Sequence, residues 1–317
     1  MMNIIYTVCN RESLANTLAL AESVSQFQPN DTFILGWVDT NLPTNLPAYI
    51  KAIDVKELNI PSFESRCATY FQYELLPATR PWFAKHILKE YPTCQTITFL
   101  APSVILFASI SDTEQVMGDF MVTPQITKPL PPSTTLNDAR ILNTGMFHAG
   151  SWILKPSEPV TEFIDWWCVR TLDRAFLDLC HGMCMDQLWL NYIPVRIKSW
   201  GKLQNPGWHY GLNKIALYQL NSTKNGLFVE QHPLISVDFA GITFFDPLWS
   251  DYKKEGSSRP EFTQLIKSYR IKLKSLENRS VSGIPAYGKY IKINKHRSFR
   301  NNVAQKLNSI TKLIDNY

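Results

Sequence analysis

Residues 3–9 form a short, largely apolar run with the length of a buried strand. Over residues 11–27 the apolar positions change period: Leu14, Leu18, Ala21, Val24 and Phe27 fall three or four apart and make one face of a helix. Residues 33–38 are a second strand-like run. Strand, helix and strand in that order predict a βαβ unit, and so a parallel sheet with helices on its faces. A helical region covers 62–73. Another follows Thr79-Arg80-Pro81, where proline suits a helical first turn and Trp82, Phe83, His86 and Ile87 supply an inward face. Residues 96–100 are the next buried strand, broken by Ala101-Pro102-Ser103 and resumed over 104–107. Proline at that break puts residues 101–103 in a strand-end turn, the usual place for ligands in an open α/β sheet. Further strands are expected over 120–123 and 142–148. A long amphipathic helix from Glu158 to about Leu179 carries Phe163, Trp166, Trp167, Val169 and Leu177, and a short helix spans 185–192. Residues 205–213 read as an aromatic, glycine-containing loop, and 128–132, with three prolines, as an exposed one.

Beyond residue 250 basic and apolar residues alternate through Leu265, Ile266, Tyr269, Ile271, Leu273 and Leu276, then through Val303, Leu307, Ile310 and Ile314. Both stretches are amphipathic helices by their spacing. Charge divides at the same place. The 317-residue chain has a net charge of +5, but residues 251–317 hold 15 Lys and Arg against 5 Asp and Glu, and residues 1–250 hold 17 against 22. The expected organisation is therefore a mildly acidic body over 1–250 and a basic helical extension over 251–317. That extension either packs on the body or docks on anionic lipid. Nucleic-acid binding has less support, because no RNA or DNA module precedes the tail.

A composition of 45% hydrophobic and 19% charged residues supports a sizeable core and excludes wholesale disorder. No stretch approaches the roughly 18 to 20 apolar residues of a membrane span. Residues 1–8 lack the basic start and cleavage site of a signal peptide, so the expected location is cytoplasmic, with peripheral contact at the inner face of the membrane as an option. The six cysteines form no CxxC pair and read as reduced thiols. Cys180-His181-x-x-Cys184 offers three potential zinc ligands without a fourth in register.

The turn after the first strand, Cys9-Asn10-Arg11-Glu12-Ser13, has no glycine, which argues against a dinucleotide site. Neither a G-x-x-x-x-G-K-[ST] loop nor a G-x-S-x-G elbow is present, against an ATPase and an α/β-hydrolase. Six pieces in order then carry a resemblance: Thr7-Val8-Cys9-Asn10, residues 76–83 (Leu-Pro-Ala-Thr-Arg-Pro-Trp-Phe), residues 99–104 around Ala101-Pro102-Ser103, residues 142–147 containing Asn143-Thr144-Gly145, Met185-Asp186-Gln187, and residues 237–241 containing Asp238. Over about residues 1 to 250 the chain resembles GT-A-fold retaining glycosyltransferases of the family 8 and glycogenin-like group. The resemblance implies an α/β fold with a mixed, mostly parallel sheet flanked by helices. It implies a UDP- or GDP-linked sugar donor and a glycan or lipid-linked acceptor, as in polysaccharide biosynthesis.

By that resemblance Thr7, Val8, Cys9, Asn10, Arg80, Ala101, Ser103, Asn143 and Asp238 border the donor, and Asp186 and Gln187 touch the transferred sugar. Spacing alone allows Asp186-Gln187 to be a helix N-cap pair and Asn143 an ordinary turn residue. The family holds the donor diphosphate on a divalent metal through an Asp-x-Asp turn and a later histidine. This chain has Ala101-Pro102-Ser103 and Asp238 there, so no metal and no other cofactor is expected. Charge on a leaving diphosphate would then fall to Arg80, Arg66, Lys214 or His209. Trp208, His209 and Tyr210 are candidate stacking or acceptor contacts, whereas Trp166-Trp167 lies in a helical apolar stripe and reads as core. The same missing carboxylates also fit an inactive glycosyltransferase-like binding or scaffold protein.

Overall fold

The computed structural model describes residues 2–113, 118–131, 136, 138–243, 245–277, 281 and 283–291, with scattered positions beyond. The chain opens with β1 (Asn3–Cys9), α1 (Leu14–Phe27), β2 (Thr32–Trp37) and β3 (Ile50–Asp54), then α2 (Phe63–Thr69), α3 (Gln72–Glu90), β4 (Thr96–Leu100) and β5 (Val104–Leu106). It continues with β6 (Phe120–Pro124), α4 (Asp138–Thr144), β7 (Phe147–Leu154), α5 (Glu158–Asp173), β8 (Leu177–Asp178) and β9 (Met183–Cys184). A 3-10 helix (Gln187–Tyr192) leads into α6 (Ile193–Arg196) and β10 (Trp200–Lys202). The described elements end with β11 (Leu220–Thr223), β12 (Gly226–Val229), β13 (His232–Pro233), β14 (Ser236–Asp238), α7 (Lys253–Ser257) and α8 (Pro260–Leu276).

The main sheet has the order β10-β6-β7-β4-β1-β2-β3. All neighbours are parallel except β7, which runs antiparallel to both β4 and β6. The parallel pairs fit the opening βαβ pattern, and the mixed, mostly parallel α/β sheet is the one that the family resemblance implies. Its central strands are buried on both faces, and Tyr6, Phe83, Phe99, Trp152, Phe163 and Trp167 fill the interior. Near its start, between Val122 and Thr123 of β6, the partner on β7 jumps from Trp152 to His148. The residues between them form a bulge, a device that ends regular pairing and re-aims side chains beside a site.

Several sequence-read boundaries shift. Thr79-Arg80-Pro81 does not start a helix but lies inside α3, whose entry is fixed ten residues earlier by Glu74 accepting the Phe71 N–H at 2.8 Å. Pro77 and Pro81 each remove an N–H from the α3 ladder, and tertiary packing overrides that cost. Residues 142–148, expected as one strand, divide between α4 and β7. The helix expected to reach Leu179 stops at Asp173, because the β8–β9 hairpin begins at Leu177.

Packing does not stop at residue 250. Phe262, Leu265, Ile266, Tyr269 and Leu276 of α8 are buried, with Tyr269 stacked 4.1 Å from Phe239 and accepting a 2.8 Å hydrogen bond from Asn16 of α1. The first tail helix thus covers the body, with only Ile271 of its apolar positions strongly exposed. Residues 283–291 then return across the α3 entrance. The Gln72 N–H donates to Lys289 O, the Lys289 N–H to Tyr70 O, and the Ala286 N–H to Asp39. The second amphipathic stretch, around residues 303–314, falls largely outside the described residues. Among the described residues, no helix is long and apolar enough to cross a membrane.

Candidate active site

A cleft opens at the C-terminal ends of β1 and β4, where open α/β sheets bind their ligands. Val8 and Asn10 border it from β1, Tyr73, Pro77 and Arg80 from α3, and Ala101, Pro102 and Ser103 from the turn after β4. The β7 bulge adds His148, Ala149 and Gly150, and the strap at 289–291 covers one side.

At the floor, Arg80 Nη1 donates to both Asp186 oxygens, at 3.1 and 3.3 Å, and to Ala149 O at 3.3 Å. Its guanidinium lies 5.1 Å from the Phe99 ring centroid. Asp186 is fully buried, and burial pushes its carboxyl up to about 6 against the opposing pull of Arg80. Its carboxylate makes no hydrogen-bonded side-chain cap on the 3-10 helix that follows. Gln187 grips the same bulge: its Oε1 accepts the Ala149 N–H at 3.0 Å and its Nε2 donates to Thr144 O at 2.8 Å. Met185, just before the pair, has φ 47°. Such left-handed backbone at a non-glycine residue is strain that concentrates at functional sites.

On the opposite wall Asp238 of β14 is held by the Ser103 hydroxyl at 2.6 Å and the Ala240 N–H at 2.9 Å, both to Oδ1. Its Oδ2 faces His209 Nε2 at 3.2 Å and His148 Nε2 at 3.8 Å. The two imidazoles meet at 3.2 Å, His209 Nε2 to His148 Nδ1, and His148 Nδ1 also accepts the Gly150 N–H at 2.9 Å. A Cβ on Gly150 would lie 2.8 Å from atoms of both rings, so only glycine permits this approach. Burial pushes Asp238 up, but the hydrogen bond and charge of His209, then His148 and Ser103, hold it well below the carboxylate range. Burial, reinforced by His209, pushes His148 down to about 3. Asp246 accepts the Leu248 and Trp249 N–H groups, and burial raises it to about 6.

The structure brings together Val8, Asn10, Arg80, Ala101, Ser103, Asp186, Gln187 and Asp238 around one cleft. It does not bring the other candidates there. Thr7 and Cys9 are buried in β1 and do not line it. Asn143 is exposed on α4, outside the cleft, because the expected strand is a helix there. Arg66 lies on α2 beside a separate hollow lined by Ile60, Tyr70 and Trp82. Trp208 and Tyr210 are core residues bonded to Thr123 and to Tyr218 O, not a stacking platform. Lys214 donates to the carbonyls of Trp208 and Asn205, and burial lowers it to about 7. His209 is wholly buried and joins the site from behind, through Asp238 and His148.

Sequence reasoning missed His148, Asp246, Trp249 and Lys289. It also missed that His148, His209 and Asp238 place one ligand atom each within 4.8 Å of one another. Only the histidine-alanine-glycine step at 148–150 hinted at a close approach.

No family model matches the chain, and no curated protein does. Among solved structures, the chain is similar to the galactosyltransferase LgtC in complex with donor and acceptor sugar analogs, with 15% identity and a TM-score of 0.50, over 85% of this chain and 99% of that one. An active-site mutant of LgtC aligns with 14% identity and a TM-score of 0.45, over 84% and 95%. The first likeness shows the GT-A fold, in agreement with the sheet order above.

Proposed function

We propose that the protein transfers a sugar from a UDP- or GDP-linked donor to a hydroxyl of a glycan or lipid-linked acceptor, with retention at the anomeric carbon. The observation that carries this reading is the buried Arg80–Asp186 pair at the floor of the cleft beyond β1 and β4. LgtC, a protein of the same fold, holds donor and acceptor sugar analogs.

In a front-face displacement the bond from the anomeric carbon to the diphosphate breaks as the acceptor oxygen attacks from the same side, and the acceptor proton passes to a leaving phosphate oxygen. Asp186 accepts sugar hydroxyls and stabilises oxocarbenium character, and Arg80 holds that carboxylate in place while its other N–H groups are available to the leaving group. The Gln187 amide is fixed at both ends, its carbonyl oxygen accepting the Ala149 N–H, where it lines the floor. The carboxylate pair of the usual Asp-x-Asp turn is missing at Ala101 and Ser103. Neutralising a diphosphate therefore falls to other groups.

That same absence favours a second reading, a sugar-nucleotide binding protein without turnover. Calorimetric titration with UDP- and GDP-sugars, followed by assay of released nucleotide with and without glycan acceptors, tests both. Binding with transfer supports the enzyme, binding without hydrolysis or transfer supports the second reading, and no binding of any nucleotide sugar removes both.

A further inference from the structure

Four carboxylates border the cleft, Glu12, Asp186, Asp238 and Asp246, against only two described cationic side chains, Arg80 and Lys289. Arg80 is tied to Asp186. An anionic diphosphate entering such a cleft meets like charge unless a further cation is present. The imidazole–carboxylate cluster lies on the wall that lacks one.

We propose that His148, His209 and Asp238 together bind one divalent first-row transition-metal ion. This set differs from the Asp-x-Asp turn that the sequence lacks, and its role toward a diphosphate rests on the transferase reading above. Bonds of about 2.0 to 2.2 Å to nitrogen and carboxylate oxygen put neighbouring ligand atoms about 3.4 Å apart at a tetrahedral angle. The observed separations are 3.2 Å between His209 Nε2 and Asp238 Oδ2 and 3.8 Å between His148 Nε2 and the same oxygen. Two imidazoles and a carboxylate suit Zn²⁺, Mn²⁺, Fe²⁺ or Co²⁺ better than the all-oxygen Mg²⁺.

The surrounding groups complete the case. Ser103 and Ala240 bond only Oδ1, which orients the carboxylate and leaves Oδ2 to the imidazoles. His209 Nδ1 is buried with no hydrogen-bond partner among the described residues, and His209 itself is held at φ 51°, left-handed backbone that is strained at a non-glycine residue. Gly150 admits both rings. In the ion-free protein Gly150 N–H occupies His148 Nδ1, so the ring proton sits on Nε2 toward Asp238. Loading through Nε2 displaces that proton and exchanges the Gly150 bond for a proton on Nδ1. Ser103 is a positioning residue for Asp238.

The test uses the full chain, stripped with EDTA and dialysed, and titrates it with Co²⁺ alone, followed by visible absorption and by competition with Zn²⁺ and Mn²⁺. The expected result is one ion per chain, with hyperfine-shifted proton resonances from two imidazole rings. His148→Gln and His209→Gln should each weaken uptake more than about 100-fold, and Ser103→Ala about 10-fold. Thermal midpoints in EDTA identify any variant that fails to fold, and the two-ring signature of the wild-type protein needs no variant. Absence of saturable uptake of all three ions below about 1 mM, or equal uptake by the folded histidine variants, overturns the proposal. Nucleotide-sugar binding is measured separately: ion uptake without it keeps the metal site and removes the transferase, and nucleotide binding without ion uptake does the reverse.

Discussion

Asp186→Asn separates a carboxylate that serves chemistry from one that braces the cleft. Asp186 is 1% exposed, and burial lifts its pKa from 3.8 to about 6 although Arg80 pulls the other way. A carboxyl whose folded pKa lies above its unfolded value binds its proton more tightly in the folded state. Its contribution is fully present below the unfolded pKa and is lost as pH rises through the folded one, here between about pH 4 and 6. A rise of about two units corresponds to about 3 kcal/mol.

Breaking a buried ion pair ordinarily costs about 3 to 5 kcal/mol. The raised pKa shows that ionising Asp186 is itself unfavourable here, and asparagine removes that cost while still accepting a bond from Arg80. The variant should therefore match the wild type at pH 4 and be the more stable protein at pH 7. At about 2 °C per kcal/mol for a chain of this size, the gap should be about 6 °C. Asp246 titrates in the same window but is common to both proteins, so it cancels in the difference. Turnover should fall by about 100-fold or more with nucleotide affinity unchanged, as expected for losing one electrostatic contact to the transition state. Thermal melts from pH 4 to 8, calorimetry with the donor and a transfer assay supply the readouts. A variant that melts well below the wild type at pH 7 refutes the electrostatic reasoning, and an unchanged rate removes Asp186 from the chemistry.

Phe262→Ala should cost about 3 to 5 kcal/mol in denaturant unfolding, because that ring is wholly buried on the inner face of α8 against Tyr210 and Phe239, whereas Ile271→Ala on the same helix should stay within about 0.5 kcal/mol. Equal effects would mean that α8 does not pack as described. Lys289→Ala should weaken nucleotide-sugar binding about threefold at low salt and lower the thermal midpoint only slightly, since this exposed residue at the cleft rim loses a cation–π contact with Phe71, 4.5 Å from its ring centroid; unchanged affinity takes the strap out of the donor site. Truncation after Ile291 should keep the thermal midpoint and abolish co-sedimentation with anionic vesicles, because Val303, Leu307, Ile310 and Ile314 are exposed. Full vesicle binding by the truncated chain would place the contact elsewhere.

The sheet was legible because its strands are short apolar runs separated by one strongly periodic helix, and burial on both faces leaves little other use for such runs. Edge strands were not. β3 and β10 have five and three residues, with Lys51 and Lys202 among them, too little pattern for period counting. The tail helix was legible as amphipathic, but its partner was not. Whether Phe262 and Tyr269 face lipid or the rings of Phe239 and Tyr210 is a tertiary fact that spacing cannot carry.

The candidate site divides along the same physical line. Ala101–Ser103, Arg80 and Asp186 could be singled out because each lies in a short local motif that carries the family resemblance, although the pairing of Arg80 with Asp186 across 106 positions was not legible. The imidazole cluster joins residues 61 positions apart, and Ser103 meets Asp238 across 135. It needs a bulge in β7, a non-glycine residue in left-handed conformation at 209, and a glycine at 150 where both rings approach. None of these leaves a periodic trace. Under the family resemblance, Ala101 and Ser103 read as lost Asp-x-Asp carboxylates and Asp238 as a lost metal-binding histidine. In the folded protein Asp238 instead places a carboxylate beside two histidines. A ligand set is a property of the cavity wall, and replacing one of its members is interpretable only beside the side chains that the fold brings to it.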